Sequence, residues 1–219
     1  MGDAHWTAVD EYLEQALIAD DAVGQRVLEA QRNAGLPDIA VSPAQGALLA
    51  VLARSVGAER ALEFGTLGGY STLWIARALP ATGHVVTFEK SEEHARVARA
   101  SLDAAGVGHK VTIRVGAALD NIVTLAEDEP FDLVFIDADK PNNVHYYEAA
   151  MTRVRPGSLV IVDNVVRQGA IADPADTTPE VEGSRAVISH VAADPKVEAT
   201  VLQTVGRKGH DGMLLATVL

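Results

Sequence analysis

The chain has 219 residues, 48% of them hydrophobic, with 18 Lys and Arg against 30 Asp and Glu and a formal charge of -12. That content suffices for one full core, and the acidity works against a phosphate-neutralising surface, so neither nucleic acid nor an anionic membrane is expected as a partner. Without cysteine there are no disulfides or thiolate metal sites, and with no basic-then-apolar leader and no run near the roughly 18 residues that span a bilayer, a cytoplasmic protein is expected.

Residues 4 to 34 carry helical spacing, with Trp6, Val9, Leu13, Ala16 and Leu17 on one stripe and Val23, Val27, Leu28 and Ala30 on the next. Asp20-Asp21 offers a cap for the second segment, and Gly35 with Pro37 stops it. Ser42-Pro43-Ala44-Gln45 then predicts a helix start, with a capping Ser, Pro at the first helical position and Gln three residues on. That helix runs to Gly57.

From Arg60 strands and helices alternate. The strands are Ala61–Phe64, His84–Glu89, Lys110–Val115, Phe131–Asp137 and Ser158–Asp163, with helices at about 71–79, 91–105, 117–126 and 142–154 between them. Short apolar strands joined by helices predict a parallel sheet covered on both faces, a doubly wound α/β fold. Val197–Gln203 and Met213–Val218 break the rule, because their short connection cannot make a parallel crossover and must join them antiparallel. Ala170–Gly183, with Pro174, Pro179 and several acids, reads as a mobile surface loop. One domain is expected over 1–219, with helices over 1–57 and an α/β core over 58–219.

Three places carry chemistry. Glu63-Phe-Gly65-Thr-Leu-Gly68-Gly69-Tyr-Ser71 joins the first strand of the sheet to its helix. Its spacing is neither the G-x-G-x-x-G of dinucleotide folds nor a phosphate loop, and Glu63 would repel a pyrophosphate while suiting a cationic ligand. Glu89 ends the second strand, where an acid commonly accepts hydrogen bonds from ribose hydroxyls. Gly116-Ala117-Ala118, after the third strand, is small enough for a flat ring to lie against the backbone. Asp137, Asp163 and Asn164 end two further apolar strands, with Lys140 beside the first. Oxygen donors without Cys or paired His suit Mg²⁺, Mn²⁺ or Ca²⁺ rather than zinc. The seven histidines show no ligand spacing and read as surface or loop residues; Trp6 and Trp74 read as core.

Taken together, Glu63-x-Gly65-x-x-x-Gly69-Tyr70-Ser71, the strand-end Glu89, Phe135-Ile-Asp-Ala-Asp-Lys140 and Val162-Asp-Asn-Val165 resemble the cation-dependent class I O-methyltransferases, the group of catechol and caffeoyl-CoA O-methyltransferases. The resemblance runs from about Ser42 to the C-terminus. It implies a Rossmann-like sheet of seven strands with the last inserted antiparallel, and a homodimer. It also implies that Glu63 and Gly65, helped by Ser71, hold the amino-acid end of S-adenosylmethionine, that Glu89 binds the ribose, that Ala118 lies by the adenine and that Val41 closes over the methionine end. Asp137, Asp163 and Asn164 would ligate the divalent cation, with Asp137 shared between cofactor and metal, and Lys140 would be the base. Asn143 and Arg167 stand where the family has Tyr and Trp, near the acceptor pocket, and Asp139 is left without a role.

The activity implied is methyl transfer to one hydroxyl of a vicinal aromatic diol. Two alternatives stand beside it. A nicotinamide-dependent oxidoreductase is disfavoured by the glycine spacing and leaves the metal set unexplained. A binding protein that holds S-adenosylmethionine without turnover is disfavoured by the metal–lysine set.

Overall fold

The computed structural model describes residues 4–18, 21–125 and 129–219. Its sheet is built from β1 (Arg60–Phe64), β2 (His84–Glu89), β3 (Val111–Val115), β4 (Phe131–Ile136), β5 (Val154–Val162), β6 (Val197–Gly206) and β7 (Gly209–Val218). The strand order is β3-β2-β1-β4-β5-β7-β6. β1 to β5 pair in parallel, whereas β7 runs antiparallel to both β5 and β6. Side chains alternate across the pleat. On β4, Leu133 and Phe135 join the core on one face, while Val134 and Ile136 join the core on the other.

Helices cover both faces, which is why the central strands are apolar on both sides. α1 (Ala4–Leu17), α2 (Ala22–Asn33) and α3 (Pro43–Ser55) precede β1, and α4 (Tyr70–Ala78) and α5 (Glu92–Ala104) follow the first two strands. Val27, Leu49, Leu73 and Leu102 carry α2 to α5 onto one face. The opposite face is closed by Ile122, Tyr147 and Val187 of α6 (Ala118–Ile122), α7 (Asn143–Met151) and α8 (Pro179–Ala192). α1 buries none of its residues and leaves Val9, Tyr12, Leu13 and Leu17 exposed.

Several boundaries differ from expectation. The helical stretch from residue 4 breaks after Leu17, and Asp21 accepts the Gly24 N–H at 3.0 Å to cap α2. Residues 1–3, the other candidate cap Asp20 and the expected helix end at residue 126 lie outside the described residues. β5 begins at Val154, before the expected Ser158, since Val154 already pairs with Phe131 across an irregularity in the ladder, where Gly157 takes φ +88°. β6 and β7 form a hairpin paired out to Gly206 and Gly209, so most of the expected connection is strand.

The segment Ala170–Gly183 is corrected most. Thr178 is extended and Pro179 takes the first turn of α8, with Glu180 and Glu182 complementing the helix dipole there. The preceding turn is tied down rather than free. The Arg185 guanidinium donates to the carbonyls of Ala170 and Ile171 at 3.0 Å each, to Asp176 at 2.7 Å, and to Asp173.

Candidate active site

In a doubly wound sheet, ligands bind beyond the strand ends where the chain changes winding direction. Here that point lies between β1 and β4, whose next neighbours are β2 and β5. A cavity of about 700 Å³ opens there. Val41, Gly65, Ser71, Glu89, Ala118, Asp137, Lys140 and Asn164 all line it. Of the donor, metal and base residues that the resemblance implies, Glu63 and Asp163 do not. Asp163 instead lines a neighbouring cavity of about 250 Å³, in which Asn164 also takes part.

The glycine loop owes its composition to packing as much as to any ligand. A Cβ on Gly65, at φ +96°, would stand 2.2 Å from the Asp137 carbonyl oxygen. On Gly68 it would meet the Gln31 side chain at 2.6 Å, and Gly69, at φ +87°, lies against Leu102. The N–H groups of Thr66 and Leu67 donate to Glu89 Oε2 at 3.3 and 2.8 Å, while Glu89 Oε1 accepts from Ser91 N–H at 2.9 Å. The donors that a phosphate would need are therefore already given to a carboxylate. His94 lies 3.5 Å from Glu89 and lines the cavity, a position the sequence reading had assigned to surface or loop.

Glu63 sits beneath the cavity, fully buried on β1. Ser71 donates to its Oε1 at 2.6 Å and Thr72 to its Oε2, both from the first turn of α4. Burial raises its pKa to about 7 against those hydrogen bonds, with a smaller push from Asp137. The folded state thus binds this proton more tightly than the unfolded chain, so stability must fall as pH rises from about 4.5 to about 7. For a fully buried acid that loss is about 3 kcal/mol. Asp163 slopes the same way, so Glu63→Gln should shrink the loss between pH 5 and 7.5 without abolishing it. Urea denaturation of the ligand-free protein at the two pH values measures it; an unchanged difference would show that Glu63 is not the titrating group.

The polar end of the cavity is a short network. Lys140 is buried and its Nζ donates to Asp137 Oδ1 at 2.9 Å. Asp163, also buried, accepts from Asn164 N–H at 2.8 Å and from Gln45 Nε2 at 2.5 Å. Burial, then the Asp137 charge, pushes Asp163 up to about 7, with Lys140 opposing. Gln45 had been read only as part of a capping box. Its backbone N–H does meet Ser42 Oγ at 3.2 Å, but its side chain leaves the cap for Asp163. Asp139 acquires a role as a clasp: Tyr146 Oη donates to it at 2.5 Å, as does the Asn142 amide. Asn143 is fully buried outside the cavity lining, and Arg167 lines it.

Comparison with known proteins places the chain in a family. The O-methyltransferase family model matches residues 18–218. The chain is 43% identical to a catechol O-methyltransferase of Niastella koreensis, over the full length of both. It is 48% identical to the one from Mycobacterium tuberculosis, over 96% of this chain and 94% of that one. Among solved structures, an O-methyltransferase from Bacillus cereus in complex with SAH superposes with a TM-score of 0.96 at 47% identity, covering 98% of this chain and 99% of that one. The TomG O-methyltransferase of Streptomyces achromogenes, involved in tomaymycin synthesis and solved with SAM, gives 0.94 at 45% identity, covering 100% and 99%. With the family matched across nearly the whole chain, this protein belongs to the O-methyltransferases.

Proposed function

We propose that the chain transfers the methyl group of S-adenosylmethionine to one hydroxyl of a vicinal dihydroxy aromatic compound, with a divalent cation at the ends of β4 and β5. The observation that carries this reading is the pair of buried Lys140 with half-buried Asp137, facing the same cavity as Gly65 and Glu89.

The donor's place follows from charge and size. Its sulfonium and ammonium groups suit the end of the cavity where half-buried Asp137 lines the wall and Ser71 stands over buried Glu63. Its ribose suits Glu89, and Ala118 leaves room for a flat base. Val41 then closes the methionine end.

The metal is tested by the donor set. Among the described residues no group of three or more His, Cys, Asp or Glu is arranged to hold an ion, so the site depends on the amide oxygen of Asn164 beside Asp137 and Asp163. These fit a hard cation. Asp163 is held up at about 7 by burial and by Asp137, a crowding of like charge that a dication relieves. When bound, Mg²⁺ or Mn²⁺ would acidify the acceptor hydroxyl and fix both of its ring oxygens.

The chain's own residues do the rest. Lys140 Nζ takes the hydroxyl proton, and Asp137 stabilises the ammonium that results. The phenolic oxygen bonds to the methyl carbon as the sulfur–methyl bond breaks and its electron pair returns to sulfur. Walls that hold the two reactants in line supply much of the acceleration. A methylation assay on catechol with and without EDTA tests the reading. Transfer should fall to background in EDTA and return with excess Mg²⁺ or Mn²⁺; full transfer in EDTA would remove the metal from the reading.

A further inference from the structure

Arg167 has a backbone that costs energy and a side chain that the protein leaves unused. It adopts φ +53°, and Gln168 and Gly169 follow at +56° and +86°. A non-glycine residue is rare in the left-handed region and persists there only when its surroundings impose it. Here they do: Asp211 Oδ1 accepts the N–H groups of Val166 at 3.1 Å and Arg167 at 3.0 Å. The turn is thus fixed from β7, and the Arg167 side chain is delivered into the lining of the large cavity beside Asn164.

Among the described residues the guanidinium has no hydrogen-bond or ion-pair partner, although Asp139 and Glu180 line the same cavity. Lys140 is committed to Asp137 at 2.9 Å. Lys90 also lines the cavity without a hydrogen-bond or ion-pair partner, but it follows Glu89 at the proposed ribose end, so among the described residues Arg167 is the uncommitted strong cation beside Asn164, where the proposed acceptor would enter. A planar guanidinium matches a carboxylate with two parallel hydrogen bonds, which an ammonium cannot reproduce.

We infer that Arg167 is a specificity residue that binds a carboxylate carried on the acceptor ring, so that the preferred acceptors are anionic vicinal diols rather than bare catechol. The inference rests on the methyl-transfer reading above and deepens it.

The test compares 3,4-dihydroxybenzoate with catechol in steady-state methylation by the wild type, Arg167→Asn and Arg167→Lys. Asn tolerates the left-handed backbone, so that variant keeps the turn. The wild type should favour the acid by about tenfold or more in kcat/KM, the scale of a charge-assisted hydrogen bond. Arg167→Asn should erase the preference through KM for the acid, leaving KM for catechol and for S-adenosylmethionine within about twofold. Arg167→Lys should keep part of it. Equal wild-type kcat/KM for the two acceptors overturns the inference, as does an equal loss for both in Arg167→Asn. A shift confined to KM for S-adenosylmethionine also overturns it, since the guanidinium would then serve the donor's own carboxylate. If the wild type methylates neither diol, the methyl-transfer reading fails by itself. Calorimetric titration of 3,4-dihydroxybenzoate into the S-adenosylhomocysteine complex then decides: weaker binding to Arg167→Asn upholds the inference, and equal binding rejects it.

Discussion

Lys140→Ala should lower kcat by about 10²–10⁴, the range that a positioned general base contributes, while S-adenosylhomocysteine still binds within a few-fold of wild type. The split follows from geometry. Lys140 Nζ is buried against Asp137 at the polar end of the cavity, whereas Glu89, Ser71 and the glycine loop line it elsewhere. On the proposed mechanism, removing the amine takes away the proton acceptor and leaves the donor's contacts standing. Lys140→Arg sharpens the test, because a guanidinium keeps the charge beside Asp137 but cannot give up its proton at neutral pH. Both variants should therefore fail in turnover and succeed in binding by calorimetry. Wild-type turnover in either would assign the proton to another group.

Gly65→Ala should cost about 2–4 kcal/mol of stability, from a left-handed residue acquiring a Cβ and from that Cβ meeting backbone. The obstacle is the Asp137 carbonyl oxygen, 2.2 Å from the new atom, so relief requires β1 and β4 to move apart at their ends. A drop in Tm of roughly 5–15 °C is expected for a chain of this size, along with weakened cofactor binding. Gly57→Ala is the control. Gly57 also has positive φ, at +62°, but nothing lies within 4 Å of its Cβ position, so it should cost only the backbone part, about 1 kcal/mol. Equal losses in the two variants would show that the approach to Asp137 does not matter.

The strands were legible because buried strands write continuous apolar runs, and Asp137, Asp163 and Asn164 stood out as polar residues directly after them. The antiparallel pair was legible from the length of its connection alone. Contacts made across the sequence were not. Gln45 satisfies a local capping pattern, and nothing nearby signals that its amide crosses 118 residues to Asp163. The glycines of the loop could be assigned to ligand approach or to packing, and only the position of the Asp137 carbonyl, Gln31 and Leu102 shows how much packing demands. α8 was missed because Pro179 and the acids around it signal a turn and a helix N-terminus equally well. Arg185, which fastens the preceding segment, lies beyond the stretch that was read as loop. The nicotinamide alternative is weakened by the glycine spacing, and each of the relatives named above is an O-methyltransferase.

Placing β7 between β5 and β6 has a consequence for how the protein comes to be. The donor side of the cavity is made from residues between Val41 and Asp137, whose contacts form within the first two thirds of the chain. The turn that presents Arg167 takes its anchor from Asp211, eight residues from the C-terminus. As a chain leaves the ribosome from its N-terminal end, the residues up to Asp137 are made before Asp211, so on the proposed reading the donor end of the cavity is synthesised ahead of the anchor of the Arg167 turn.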